Sequence, residues 1–462
     1  MKKPILVIQM QRMGDLILSF PLFLWLERAF PGHPVWVMAE PGFAQPLMRL
    51  SPQVRYFSYG QGGDLRTEAF HLVINLSHRA ESMALAGSLR CDALVGGYFR
   101  DSVTRIEGDW QEYRASLTHN NRHNRFHWAD LNALDVIPHG ILGQTRWPAP
   151  RHMPPDIRHI GLFLGASEPD KRPCPEFWVG LITELERRGF VPVLLGGPGE
   201  RELCREVLRL AARPVASACG SLRLDAFAMY GQSLAAMITP DTGPMHLAAW
   251  TGLKVLNLSM GPVHAFETGP YQPGHVVLRS SRDCVGCWHC HFDLPRCHER
   301  FKPARVVRVL EAMLGSKGKL SGLRLPGLEI FATGRKGGLY DLIPLSVRAK
   351  AGQHLSAYWQ AFWLHAFGLG SRDGCLAAAG NLREAHEALT RVMAAGALRF
   401  FRTVSSTSDP QRLVREWDHA SFALRPLSGY VAVHLSNHDC SVASRKRVLA
   451  LAEAHLGFLR QS

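Results

Sequence analysis

The chain has 462 residues, too many for one hydrophobic core and enough for two or three domains. Apolar residues make up 46% of it and no long low-complexity tract interrupts them, which excludes a disordered or fibrous protein. The net charge is +14 and the basic excess is concentrated after residue 315; such a tail favours anionic partners, whether phosphorylated glycolipid, an anionic membrane face or nucleic acid.

Ile5 to Met10 reads as a buried strand, followed by the turn Gln11-Arg12-Met13-Gly14-Asp15 and a helical pattern from Leu16 to Phe30. The apolar run Leu16 to Leu26 is about half the length a bilayer demands and is flanked by Asp15 and Glu27. Met1-Lys2-Lys3 and the strand after it imitate a signal peptide until Gln9, Gln11 and Arg12 interrupt, so a cytoplasmic protein is expected. Pro31-Gly32-His33-Pro34 breaks the helix. Val35–Met38, Phe70–Leu76 and Ala93–Val95 then read as further strands, and strands alternating with helices predict a parallel, doubly wound α/β sheet.

Four prolines between Pro148 and Pro155 mark a linker, after which the alternation restarts. Strands are expected at Ile160–Leu164, Val191–Leu195, Leu234–Ile238 and Val255–Leu258, with helices at Glu176–Arg188, Glu200–Ala212 and Met245–Thr251. Past Leu314 the character changes. Ser316 to Gly322 reads as a linker, Leu328–Phe331 with Leu339–Leu345 as a short hairpin, and Leu355–Phe367, Leu382–Ala395, Gln411–Ala420 and Ala443–Leu459 as helices. The expected partition is therefore 1–150 and 151–315, two α/β domains with a ligand cleft at the strand ends, and 316–462, a mostly helical extension.

The turns carry the chemistry. Asp241-Thr242-Gly243-Pro244-Met245-His246 joins a strand to a helix whose first turn takes Pro244, so free amide groups and the positive helix end converge there on an anion. An ordinary capped turn reads the same way. Gly14-Asp15 puts a carboxylate at the end of the first strand, as an N-cap would. Gly165-Ala166-Ser167, with Lys171 and Arg172, offers space and positive charge to a diphosphate, and Gly196-Gly197-Pro198-Gly199-Glu200 is a fourth such turn. Neither the dinucleotide nor the Walker pattern is present.

Together these segments resemble glycosyltransferase family 9, the bacterial heptosyltransferases of lipopolysaccharide core assembly. The resemblance runs from Ile5-Leu6-Val7-Ile8 and Met13-Gly14-Asp15-Leu16 through Pro21-Leu22, Gly165-Ala166-Ser167, Lys171 and Leu195-Gly196-Gly197. It continues in Asp241 to Ala249, Gly261-Pro262 and Gly269-Pro270-Tyr271, covering about residues 1 to 315. It implies a GT-B fold of two facing Rossmann-like domains and an inverting, metal-independent transfer from ADP-heptose to a lipid-linked glycan acceptor. Asp15 is then the general base. Ser167, Lys171, Thr242, Gly243 and His246 surround the donor diphosphate beside Asp241, and Glu200 reaches the ribose. The usual Lys-x-Trp-Pro is here Lys171-Arg172-Pro173-Cys174-Pro175, and Gln9 stands where many members carry a basic residue, so another sugar donor is also open.

Two features fall outside this frame. Cys284, Cys287, Cys290 and Cys297 have spacing suited to a structural zinc, with local disulfides or plain thiols as alternatives; no cofactor is required for the transfer. A non-catalytic metal-binding or sensing protein of the same fold is the rival reading. Tyr358, Trp359, Phe362, Trp363 and Phe367 form an aromatic stripe that reads as core. With Arg445-Lys446-Arg447 the same stripe would alternatively lie on anionic lipid of the inner membrane. Charge alone argues for nucleic acid, and no such partner is expected.

Overall fold

A computed structural model describes residues 2–145, 151–282, 284, 287–293, 295–315, 320–345, 351–406, 409 and 420–461. The expected linkers lie outside it at 148–150 and 316–319, and the helix expected over Gln411–Ala420 lies outside it at 411–419. The chain divides into two compact units. The first comprises Met1–Gly63, His127–Asp130 and Gly140–Val347; the second comprises Asp64–Phe126, Leu131–His139 and Arg348–Ser462.

In the first unit, Ile5–Ile8 pairs in parallel with Val35–Met38, which pairs with Arg55–Phe57. The four residues of the first strand are fully buried, as expected of a parallel strand covered on both faces. The helix expected over Leu16–Phe30 is two helices, Met13–Ile17 and Phe20–Ala29, because Pro21 starts a new first turn after Leu18 and Ser19. This break sets Gly14 and Asp15 inside a short helix of their own.

An eight-stranded sheet forms the rest of this unit. Its order is Leu339–Pro344, Leu328–Lys336, Val276–Ser280, Val255–Ser259, Leu234–Pro240, Asp156–Phe163, Val191–Leu195 and Ala216–Ser217. The last six are parallel, and the first two add an antiparallel hairpin to the edge at Val276–Ser280. The hairpin expected in the helical extension thus completes this sheet. Helices Pro175–Arg187 and Pro303–Leu314 bury Trp178, Leu181, Val306 and Leu310 with strand residues Ile160, Leu162 and Leu256 in one core. Strands Leu234–Pro240 and Val255–Ser259 are buried at every position, which holds the turns at their carboxyl ends rigidly.

In the second unit, Ala69–Asn75 runs parallel to Arg90–Arg100, which returns antiparallel through Val103–Glu107. Asp101 and Ser102 make that tight turn with positive φ, 52° and 64°. Among the described residues five long helices follow: Ala351–Ala366, Arg372–Ala385, Glu387–Ser406, Arg425–Asn437 and Val442–Gln461. Tyr358, Trp359, Phe362 and Trp363 are at most 1% exposed. Trp359 lies flat on His455, ring centres 4.9 Å apart, and its indole N–H donates to the Ala423 carbonyl at 2.9 Å. The aromatic stripe is core, and its burial removes it as a lipid-facing surface. Among the described residues no helix is long and apolar enough to cross a membrane.

Candidate functional site

Within the first unit a cleft of about 600 Å³ opens at the strand ends. Asp15, Ser167, Lys171, Glu200, Asp241, Thr242, Gly243 and His246 all line it. Residues distant in sequence are brought to one mouth because each terminates or follows a strand of the same unit. Phe43, Phe163, Leu195, Leu222 and Phe227 add an apolar wall that the turn motifs did not disclose. Phe163 and Phe227 meet edge to face, ring centres 5.9 Å apart. Phe227 was legible only as an apolar residue on the helix Leu224–Gly231.

The first-strand turn and the Asp241–His246 turn pack closely, with the Met13 methyl and the His246 ring at the crossing. A Cβ on Gly14 would lie 3.3 Å from the His246 ring and 3.6 Å from Gly243 Cα, and one on Gly243 would lie 3.6 Å from Gly14 N. Two glycines at this crossing let the half-buried Asp15 carboxylate stand beside the start of the helix Gly243–Trp250. One carboxylate oxygen accepts from the Arg12 backbone N–H at 3.2 Å, which fixes the side chain at the helix N-terminus. At the start of Gly243–Trp250, Thr242 makes no side-chain cap; Pro244 carries no N–H and the Met245 N–H donates to the Thr242 carbonyl at 3.0 Å, so the Gly243 N–H is the amide this first turn can offer the cleft.

Electrostatics differ sharply across this mouth. Burial pushes His246 down to about 4, with the Asp15 charge pulling the other way and Lys171 adding to the depression, so its imidazole is neutral at pH 7. Its Nδ1 has no protein partner. Burial raises the Asp241 carboxyl, against the pull of Lys171 and of the Thr268 hydroxyl, which donates to Oδ2 at 3.2 Å. The other Asp241 oxygen has no hydrogen-bond partner and sits 4.0 Å from His246 Nε2. Unsatisfied polar atoms at this depth cost about 1–3 kcal/mol each, which a polar ligand in the cleft would relieve.

Lys171 is only 14% exposed, 3.6 Å from Glu168. Its loop is propped from beneath. The His298 ring nitrogen Nε2 pairs with the Asp170 carbonyl at 2.8 Å. Gly261 passes beneath Asp170 so closely, at φ +71°, that no side chain fits there. Arg172, in the stretch where the resemblance departs, donates from Nε to the Ala166 carbonyl at 2.6 Å and so ties the loop across its base. Glu200 accepts from the Gly197 N–H at 2.8 Å and fills the notch left by the missing Cβ of Gly165.

Cys284, Cys287, Cys290 and Cys297 line a separate small pocket with Ser259, Gly261 and Arg296. All ten cysteines are free thiols, so the disulfide alternative is not realised here. Burial, followed by the neighbouring sulfurs, pushes Cys287 up to about 11. Cys297 Sγ accepts from the Gly261 N–H at 3.3 Å, so the thiol segment and the prop beneath Lys171 are one piece of chain.

Residues 144–294 match the model of glycosyltransferase family 9 (heptosyltransferase). A glycosyl transferase family 9 protein from Veillonella parvula shares 20% identity and superposes with a TM-score of 0.54, covering 68% of this chain and 97% of that one. The ADP-heptose lipopolysaccharide heptosyltransferase II of E. coli shares 21% identity at a TM-score of 0.51, covering 67% and 98%. No curated protein matches the sequence. The fold is accordingly the α/β, GT-B class expected from the sequence, with a helical C-terminal part.

Proposed function

We propose that the chain is an inverting glycosyltransferase, a reading supported by the match of residues 144–294 to the glycosyltransferase family 9 model. It moves heptose from ADP-heptose to a lipopolysaccharide core or related lipid-linked glycan. The observation that carries this reading is the contact of Gly14 with His246 and Gly243, which sets the Asp15 carboxylate beside the helix start at Gly243. Asp15 takes the proton of the acceptor hydroxyl as its oxygen bonds to the anomeric carbon. The bond from that carbon to the diphosphate breaks, and the nucleoside diphosphate leaves with the electron pair. Lys171, the Gly243 N–H and a neutral His246 N–H meet the growing charge on the leaving oxygens. Ser167 adds a hydroxyl to the same clamp, and Glu200 accepts from the ribose. The apolar wall of Phe163, Leu195 and Phe227 suits a flat base.

The acceptor and the membrane-side location belong to the same proposal, with the cytoplasmic face as the place of work. A structural zinc at Cys284, Cys287, Cys290 and Cys297 would stiffen the segment beneath Lys171 and take no part in the transfer. Asp15→Asn should lower kcat by about 10²- to 10⁴-fold while ADP affinity stays within about twofold. Unchanged turnover would remove Asp15 from its role. Thermal shift with ADP, UDP, GDP and their sugars should select ADP-heptose. Selection of another nucleotide would favour the second reading, a different nucleotide-sugar donor, which the Arg172-Pro173 departure keeps open.

A further inference from the structure

In the second unit, two helices bring together three side chains of types that ligate metals. Glu112 stands on Asp109–Ser116; His434 and His438, one helical turn apart, stand on and just after Arg425–Asn437. Glu112 is 2% exposed, and a carboxylate at that depth must be paired. Its Oε2 lies 2.6 Å from His434 Nδ1 and its Oε1 lies 2.8 Å from His438 Nε2. One donor atom from each of the three residues falls within 4.8 Å of the other two.

We infer that Glu112, His434 and His438 form a binding site for a divalent transition cation of the zinc type, independent of the cysteine pocket and of the transfer chemistry. Two imidazole nitrogens and one carboxylate oxygen suit zinc or ferrous iron, whereas magnesium and calcium call for oxygen alone. At tetrahedral zinc the donor atoms stand about 3.3 Å apart, so with one donor atom from each residue already within 4.8 Å of the others the set reaches that spacing by shifts of at most about 1.5 Å. The fourth position faces solvent on the side of His438, whose ring is 45% exposed, and this gives the ion an entry path.

The surroundings hold these donors as outer-sphere groups hold metal ligands. Asn437 donates to Glu112 Oε1 at 2.6 Å and to the Ile106 carbonyl at 2.7 Å, and accepts from the Ile106 N–H at 2.8 Å. The carboxylate is thus pinned to the strand Val103–Glu107. Tyr430 stacks on His434 with ring centres 5.7 Å apart and planes 12° from parallel, which fixes the imidazole plane. Such partners raise metal affinity by orienting the ligands in advance.

Full-length protein stripped of metal and titrated with Co²⁺ tests the site, with the spectrum separating nitrogen and oxygen ligation from thiolate ligation. The native protein should take up one equivalent with d–d bands free of thiolate charge transfer. His438→Ala, at a half-exposed position, should keep the native circular dichroism spectrum and lose that equivalent. A variant with Cys284, Cys287, Cys290 and Cys297 all changed to Ser should keep it. Asn437→Ala should weaken it by about 10- to 100-fold. Equal uptake by native protein and His438→Ala, or cobalt bound only with thiolate bands and lost in the cysteine variant, would overturn the assignment.

Discussion

Gly165→Ala is the sharpest perturbation of the cleft, because the space it would fill is already occupied. A Cβ at residue 165 would lie 2.6 Å from Glu200 Cγ and closer still to the carboxyl group. Ordinary carbon contacts are about 3.5–4.0 Å, so one partner must move by about 1 Å. Residue 165 follows a backbone tied down by the Leu164 N–H on the Leu195 carbonyl at 3.1 Å, which makes the Glu200 side chain the part that yields. A shift of that size takes its oxygen out of reach of the Gly197 N–H, now at 2.8 Å. A hydrogen bond to a charged acceptor contributes about 1.5–3 kcal/mol, so ADP binding that depends on the placement of Glu200 should weaken by about 10- to 150-fold. Calorimetric titration with ADP measures this. A thermal melt in parallel shows that the variant is folded. The three closest atoms to the new methyl all belong to Glu200, so adding Gly165→Ala to Glu200→Ala should cost within about 0.5 kcal/mol of nothing more. The reasoning fails if Gly165→Ala binds ADP like the native protein. It fails equally if the double variant is weaker than Glu200→Ala by the full effect of the alanine.

Two further outcomes follow from burial. Burial holds His123, His127 and His455 near 3 and His78, His246 and His275 near 4, all below the ordinary 6.5. The unfolded chain therefore binds more protons between about pH 4 and 6.5, and stability should fall as pH drops from 7 to 5. The buried carboxyls of Asp135, raised to about 6, and Asp241, also raised, oppose this but are outnumbered by the six histidines; a melting temperature that stays flat or rises on acidification would contradict the account. Trp359→Ala removes a ring that is 1% exposed together with its bond to Ala423 and should cost about 3–5 kcal/mol in urea unfolding, whereas a loss below about 1 kcal/mol would deny it a central place in the core.

Much of the cleft was legible because its residues sit in short turns flanked by apolar strands. The runs at Ile5, Ile160, Val191 and Leu234 mark strands buried on both faces, and the polar residues after each necessarily emerge at the same sheet edge. The apolar wall of the cleft was hidden, since Phe163 and Phe227 look like any other core residues until the chain folds. The strand Arg90–Arg100 shows only three of its residues in the sequence pattern because Gly96 and Gly97 interrupt it. Helix Arg425–Asn437 has no clear apolar periodicity because Ser428, His434 and Asn437 are buried where apolar residues would be expected. The pairing of His434 with Glu112 spans 322 positions and has no local signature at all. The helix expected over Leu382–Ala395 is two, broken where His386 adopts a non-helical backbone.

The antiparallel hairpin at Leu328–Lys336 and Leu339–Pro344 carries a practical consequence. Residues up to about 315 hold every turn of the cleft, which makes Gly315 a tempting place to truncate. Cutting there would strip Val276–Ser280 of the ladder it makes with Leu328–Ala332 and expose its backbone amides and carbonyls along a hydrophobic edge. An uncovered border of this kind recruits other chains, so any fragment that keeps this edge covered has to extend at least through Pro344, and further to keep the second unit, which draws on Arg348–Ser462.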